Sequence, residues 1–158
     1  MEFVSEDIIE QSSTKLEADE LAYANAVEDF KTIQPIVFTY LFAEGFELLT
    51  AEEEALLRFM ALVIWDAVNE QHPTHQWRII TEEQIGKAEE QNWEIFNAQK
   101  GSFRKKLDIF FEDTPQEDLL AFVEDALAED EEEEEVLLTL EARATIFISL
   151  KTLIDCLT

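Results

Sequence analysis

The sequence predicts an all-α fold, a compact bundle of about six to eight helices, and three observations carry that expectation. Apolar residues recur at three- and four-residue spacing along nearly the whole chain. Glycine and proline, three of each in 158 residues, stand only where such stretches begin or end. Several of the starts have helix-capping form, Thr50-Ala-Glu-Glu53 and Thr81-Glu-Glu-Gln84 among them. With 47% hydrophobic and 11% aromatic residues, the chain can bury one sizeable core, so residues 1–158 are expected to form a single domain.

Residues 3–11 read as a short helix or as part of a loose N-terminal arm over 1–14. A helix over 16–33 follows, with Leu16, Leu21, Ala24, Val27 and Phe30 on its apolar side. Pro35 suits a first helical turn, and a third helix through Ile36, Phe38, Leu41 and Phe42 should stop near Gly45, which can adopt the left-handed backbone that ends helices. The capping box at Thr50 opens a helix that Pro73 closes. This helix is apolar nearly all round, from Leu56 to Val68 with only Arg58 and Asp66 intervening, and is expected at the centre. Trp77 to Ile80 resembles one short strand, but a lone strand has no partner and is read as loop. Thr81 starts a helix that Gly101 ends, Ser102 to Glu112 forms another, and Thr114-Pro-Gln-Glu117 combines a cap, a first-turn proline and a capping glutamate.

The last two helices repeat earlier ones. Spaced 80 residues apart, Pro35, Phe42 and Glu44 match Pro115, Phe122 and Glu124; spaced 89 apart, Leu48-Leu-Thr-x-Glu52 matches Leu137-Leu-Thr-x-Glu141, and Ala55 and Asp66 match Ala144 and Asp155. The shift implies a nine-residue insertion around Ala128 to Val136, which places the acidic run Glu129, Asp130, Glu131, Glu132, Glu133, Glu134 and Glu135 in an added loop. Two related helical hairpins would then pair their apolar second helices at the centre of the bundle.

Charge is the other strong feature. The formal net charge is -26, and it is concentrated in residues 1–57, net -12, and 112–135, net -13. A surface of this sign repels nucleic acid and anionic lipid and favours basic protein patches. The acidic run lacks the central glycine and alternating ligands of an EF-hand loop. It reads as a solvated loop or helix extension, and functionally as the element that docks a basic protein partner, with Lys100, Arg104, Lys105 and Lys106 placed to fold back onto it. No segment has the roughly 20 apolar residues that span a bilayer. The first residues lack the basic and apolar regions of a secretory signal, and Cys156 is the single cysteine, so a cytoplasmic location is expected.

Catalytic motifs are sparse. Glu70, His72 and His75, with Asp66 one turn before Glu70 and Arg78 beyond, make the one cluster suited to an enzyme or metal reading. A zinc site needs three or four convergent ligands, and Pro73 breaks the helix between the histidines, so no metal or cofactor is expected. Cys156 lies in an apolar setting that raises a thiol pKa and suppresses reactivity. The sequence therefore favours a non-catalytic acidic helical protein that binds another protein, of immunity, inhibitor or nucleic-acid-mimic type. An enzyme built around Glu70, His72 and His75 and a structural homo-oligomer are the alternatives.

Self-repulsion between two such acidic blocks is relieved by screening ions. The melting temperature should rise as salt is increased from about 10 to 300 mM, and a flat profile would show that the repulsion is too dispersed to matter.

Overall fold

The computed structural model describes residues 2–42, 49–73, 76–132 and 138–158. Among these residues the chain is all-helical, with eight helices and no strand: α1 (Glu6–Ala18), α2 (Glu20–Ile33), α3 (Pro35–Phe42), α4 (Ala51–Gln71), α5 (Glu82–Asn97), α6 (Phe103–Glu112), α7 (Glu117–Glu132) and α8 (Leu140–Leu157). The N-terminal stretch takes the helical alternative. Where one helix over 16–33 was expected, Asp19 adopts extended backbone (φ -129°, ψ 106°), and its carboxylate accepts from the Leu21 and Ala22 N–H groups. A side chain that satisfies two orphan donors makes the break between α1 and α2 cheap.

Both capping boxes close as read. Thr50 N–H donates to Glu53 and Glu53 N–H to the Thr50 hydroxyl, and Thr81 and Gln84 do the same. The α5 helix stops at Asn97, four residues before Gly101, whose positive φ of 109° shapes the turn into the Ser102 cap of α6. The expected stop near Gly45 lies outside the described residues.

Helices α4 and α8 pack against each other at the centre. Met60 to Trp65, Ala67 and Val68 are buried on α4, as are Ile146 to Leu150 and Thr152 to Ile154 on α8. Around this seam the main packed pairs obey one rule: replacing each helix by the one four positions away in the chain reproduces the same set. The pair α1–α4 corresponds to α5–α8, α2–α3 to α6–α7, α3–α4 to α7–α8, and α1–α7 to α5–α3. The repeat is thus a four-helix unit arranged about an approximate twofold axis between α4 and α8, larger than the hairpin read from the sequence.

Burial fixes its register. The 89-residue spacing holds: Leu49 and Leu138, Glu53 and Ala142, and Leu57 and Ile146 are all buried, and Thr50 and Thr139 both cap. The 80-residue spacing is corrected to 82, which pairs Gln34 with Gln116, Val37 with Leu119 and Leu41 with Val123, every one buried. The excess in the second half is then seven residues rather than nine.

The correction has a physical cause. Gln116 does not sit inside a capping box led by Thr114; it occupies the position before α7, and the Thr114 hydroxyl accepts from its N–H. From there its buried amide accepts from Val4 N–H at 2.9 Å and donates to the Glu2 carbonyl at 3.0 Å. Gln34, before α3, does the same across the axis, accepting from Ile80 N–H at 2.9 Å and donating to the Arg78 carbonyl at 2.8 Å. The strand-like Trp77 to Ile80 therefore has a partner, and it is a side-chain amide.

Removing either amide strands a buried backbone N–H. Gln34→Ala and Gln116→Ala should each lower unfolding free energy by about 1–3 kcal/mol, measured by denaturant titration. A loss below about 0.5 kcal/mol for both, the range of ordinary surface changes, would mean that water replaces the amide.

Candidate functional site

Two grooves follow from the twofold relation. The first lies between α1 and α7, has a volume of about 460 Å³, and is floored by Ile9, Ala121, Phe122 and Ala126. Its rim is Glu6, Glu10, Asp118 and Asp125, with no basic residue in the lining. Asp118 also accepts from the Glu6 N–H at 2.9 Å, which ties the start of α1 to α7. The second groove, between α3 and α5, measures about 750 Å³ and is lined by Pro35, Ile36, Thr39, Tyr40, Glu82, Ile85, Gly86 and Glu89.

The acidic run begins on a helix, not in a loop. Helix α7 continues through Glu132, so residues 129–132 extend it, while Glu133, Glu134 and Glu135 lie outside the described residues. Glutamate is a good helix former and neither Gly nor Pro interrupts the segment, so residues 129–132 take the helix-extension alternative rather than the inserted loop. The basic cluster reaches α7 ahead of the run: Arg104 is 3.8 Å from Glu124 and 4.0 Å from Asp125. Burial pushes the Glu124 carboxyl above its ordinary pKa, Arg104 pulls it down, and Asp125 and Asp108 push it up again. Lys106 instead lies over the Phe96 ring, 4.9 Å from its centre.

The Glu70, His72 and His75 cluster is divided. Glu70 turns to α1, where Lys15 bridges it at 3.4 Å and Asp66 at 2.8 Å. His72 lines a cavity of about 830 Å³ at the ends of α4 and α8, with Trp77, Arg78, Cys156 and Thr158. His75 lies outside the described residues. Among the described residues no three His, Cys, Asp or Glu side chains converge as a metal site. Cys156 is half-buried, and burial followed by the charge of Asp155 pushes its thiol up to about 11, which favours the unreactive thiol. The aromatics serve the core: Phe30 stacks on Trp65 at 5.0 Å in one half, and Phe110 meets Phe147 edge-on at 5.1 Å in the other.

Two expectations follow. Burial lowers the Lys15 pKa, but its bonds and charge pairing with Asp66 and Glu70 leave it raised above 10.5. A raised lysine stabilises the fold below its unfolded pKa and loses that contribution as pH rises through the folded value. Wild type should therefore exceed Lys15→Met by less than about 1 kcal/mol near neutrality, because the amine is well exposed, and the gap should shrink above pH 10.5 in parallel melts. Secondly, Gly86 stands inside α5 rather than at the helix boundary expected of every glycine, and a Cβ there would meet nothing within 4 Å. Gly86→Ala should then raise unfolding free energy by up to about 1 kcal/mol in denaturant titration, and a loss would reveal a backbone constraint there.

Comparison with protein-family models, curated proteins and solved structures returns no match.

Proposed function

We propose that the chain is a non-catalytic binding protein whose α1–α7 face docks a basic polypeptide segment, with the negative charge of the run Glu129 to Glu135 adding long-range attraction. The observation that supports this reading is the groove itself, an apolar floor of Ile9, Ala121 and Phe122 between rows of carboxylates on two helices. An apolar floor rewards burial of partner side chains, at about 25 cal/mol per Å² removed from water. The carboxylate rim selects Lys or Arg flanks and repels acidic competitors. Diffuse charge alone would attract any cation; the floor adds discrimination by shape. A cytoplasmic setting suits such a partner, and the net charge of -26 argues against nucleic acid as the ligand.

The test is a fluorescence titration with an amphipathic basic peptide carrying apolar residues at helical spacing, against a scrambled peptide of the same composition. The amphipathic peptide should bind at least about tenfold more tightly, a difference of about 1.4 kcal/mol. Glu10→Lys with Ala121→Arg should remove that preference. Replacing Glu129 to Glu135 by glutamine should chiefly slow association, because long-range attraction acts before contact. Equal affinity for both peptides would reduce the face to nonspecific charge and overturn the reading.

A further inference from the structure

The two grooves are an internal comparison, because the twofold relation places their lining residues at equivalent positions. The 82-residue spacing matches Asp118 and Phe122 of the α1–α7 groove with Ile36 and Tyr40 of the α3–α5 groove, and a 76-residue spacing between α1 and α5, which pairs the buried Val4 with Ile80 and Ile9 with Ile85, matches Glu10 with Gly86. Two carboxylates have become an apolar side chain and a hydrogen, and a phenol hydroxyl has been added. The volume rises from about 460 to about 750 Å³.

Glycine at position 86 has no explanation inside the chain. Its φ is not positive, and a side chain there would meet nothing within 4 Å. Glycine in mid-helix lowers stability relative to alanine. What it does supply is a stretch of groove wall without a side chain, beside Ile85 and across from Tyr40 in the same lining. Tyr40 from α3 and Glu89 from α5 line this groove together. Burial, then the charge of Glu89, raises the phenol pKa, so Tyr40 stays neutral and Glu89 supplies the carboxylate beside it in the lining.

We propose that the α3–α5 groove binds a small amphipathic cation, with an alkyl or aryl body over Ile36, Tyr40 and Ile85 and an ammonium group at Glu89. The Tyr40 ring adds a face that attracts the same cation. Glu82 on the rim excludes anionic analogues, and the groove has the size of an ordinary small-molecule site, which runs to about 300–1,000 Å³. This site is independent of the α1–α7 face and survives its failure.

The experiment is a titration of isotope-labelled protein with n-hexylamine, n-hexanol and n-hexanoate, followed by amide shifts. Hexylamine should shift amides of residues 36–41 and 82–90 saturably, and at least about tenfold more tightly than hexanol, with hexanoate silent. Gly86→Leu should fill that stretch of the groove and abolish the shifts while melting cooperatively, and Glu89→Gln should bring the amine down to the level of the alcohol. Gly86→Ala, a smaller intrusion, should weaken binding if the leucine variant fails to fold. Equal shifts from amine and alcohol in wild type would overturn the proposal. So would amine shifts spread over the acidic surface, or shifts that persist in a folded Gly86→Leu.

Discussion

The seam between α4 and α8 sets the terms for everything around it. A helix with an ordinary polar face can lie at a surface, but from Met60 to Val68 every residue of α4 except Asp66 is buried, and α8 is covered almost as fully. Two such helices satisfy each other along one side only. The remaining sides must be covered by other helices, and the chain does so with α1, α2 and α3 around α4 and α5, α6 and α7 around α8. Magnitudes explain why a net charge of -26 is tolerated. Each fully buried Leu, Ile, Val or Phe contributes about 1.5–3 kcal/mol, whereas an exposed charge pair is worth at most about 1 kcal/mol.

Apolar packing alone does not hold two halves in one register, because helices in contact can slide. The buried glutamines add a directional constraint. Gln34 of the first half grips the backbone leading into α5, and Gln116 of the second grips the backbone leading into α1. Each half completes the start of the other. A net hydrogen bond contributes only about 1 kcal/mol, but a buried amide left without a partner costs about 1–3 kcal/mol, so the exchange penalises a slipped register more than it stabilises the correct one. This cross-exchange joins two four-helix units into one domain.

Much of the fold was legible because its signals are local. The hydroxyl caps at Thr50 and Thr81, the helix start at Ser102 and the apolar run through Leu62 to Trp65 require no knowledge of the rest of the chain. The break at Asp19 was carried by a competent capping residue, but reading Leu16, Leu21, Ala24, Val27 and Phe30 as one continuous apolar side concealed it; with the break, Leu21 and Ala24 are exposed and Ala26 is buried instead. The glutamine clamps were out of reach, since their partners lie 44 and 112 residues away. A glutamine beside a proline at each of two helix starts was the available hint, at Gln34-Pro35 and Pro115-Gln116, and aligning the prolines instead of the glutamines put that match two residues out. Neither groove could be read from sequence, because each is built by helices from opposite halves of the chain.

The twofold relation also separates residues that build from residues that are free to specialise. Several equivalent pairs that face the core keep their character: Ile9 and Ile85, Leu41 and Val123, and Leu57 and Ile146 are all buried and aliphatic. At the surface the same operation relates Glu10 to Gly86 and Asp118 to Ile36. Asp66 and Asp155 stand between these cases. Both are aspartates at equivalent positions on the central helices, and each anchors the helix packed alongside, but Asp66 does so through Lys15 and Asp155 through Asn92 at 3.0 Å. A charged partner on one side and a neutral amide on the other give the same attachment with different surface charge. The shared core therefore does not force the two outer faces to be alike, and it is in the unlike positions of a repeated structure that recognition can differ while the packing beneath stays the same.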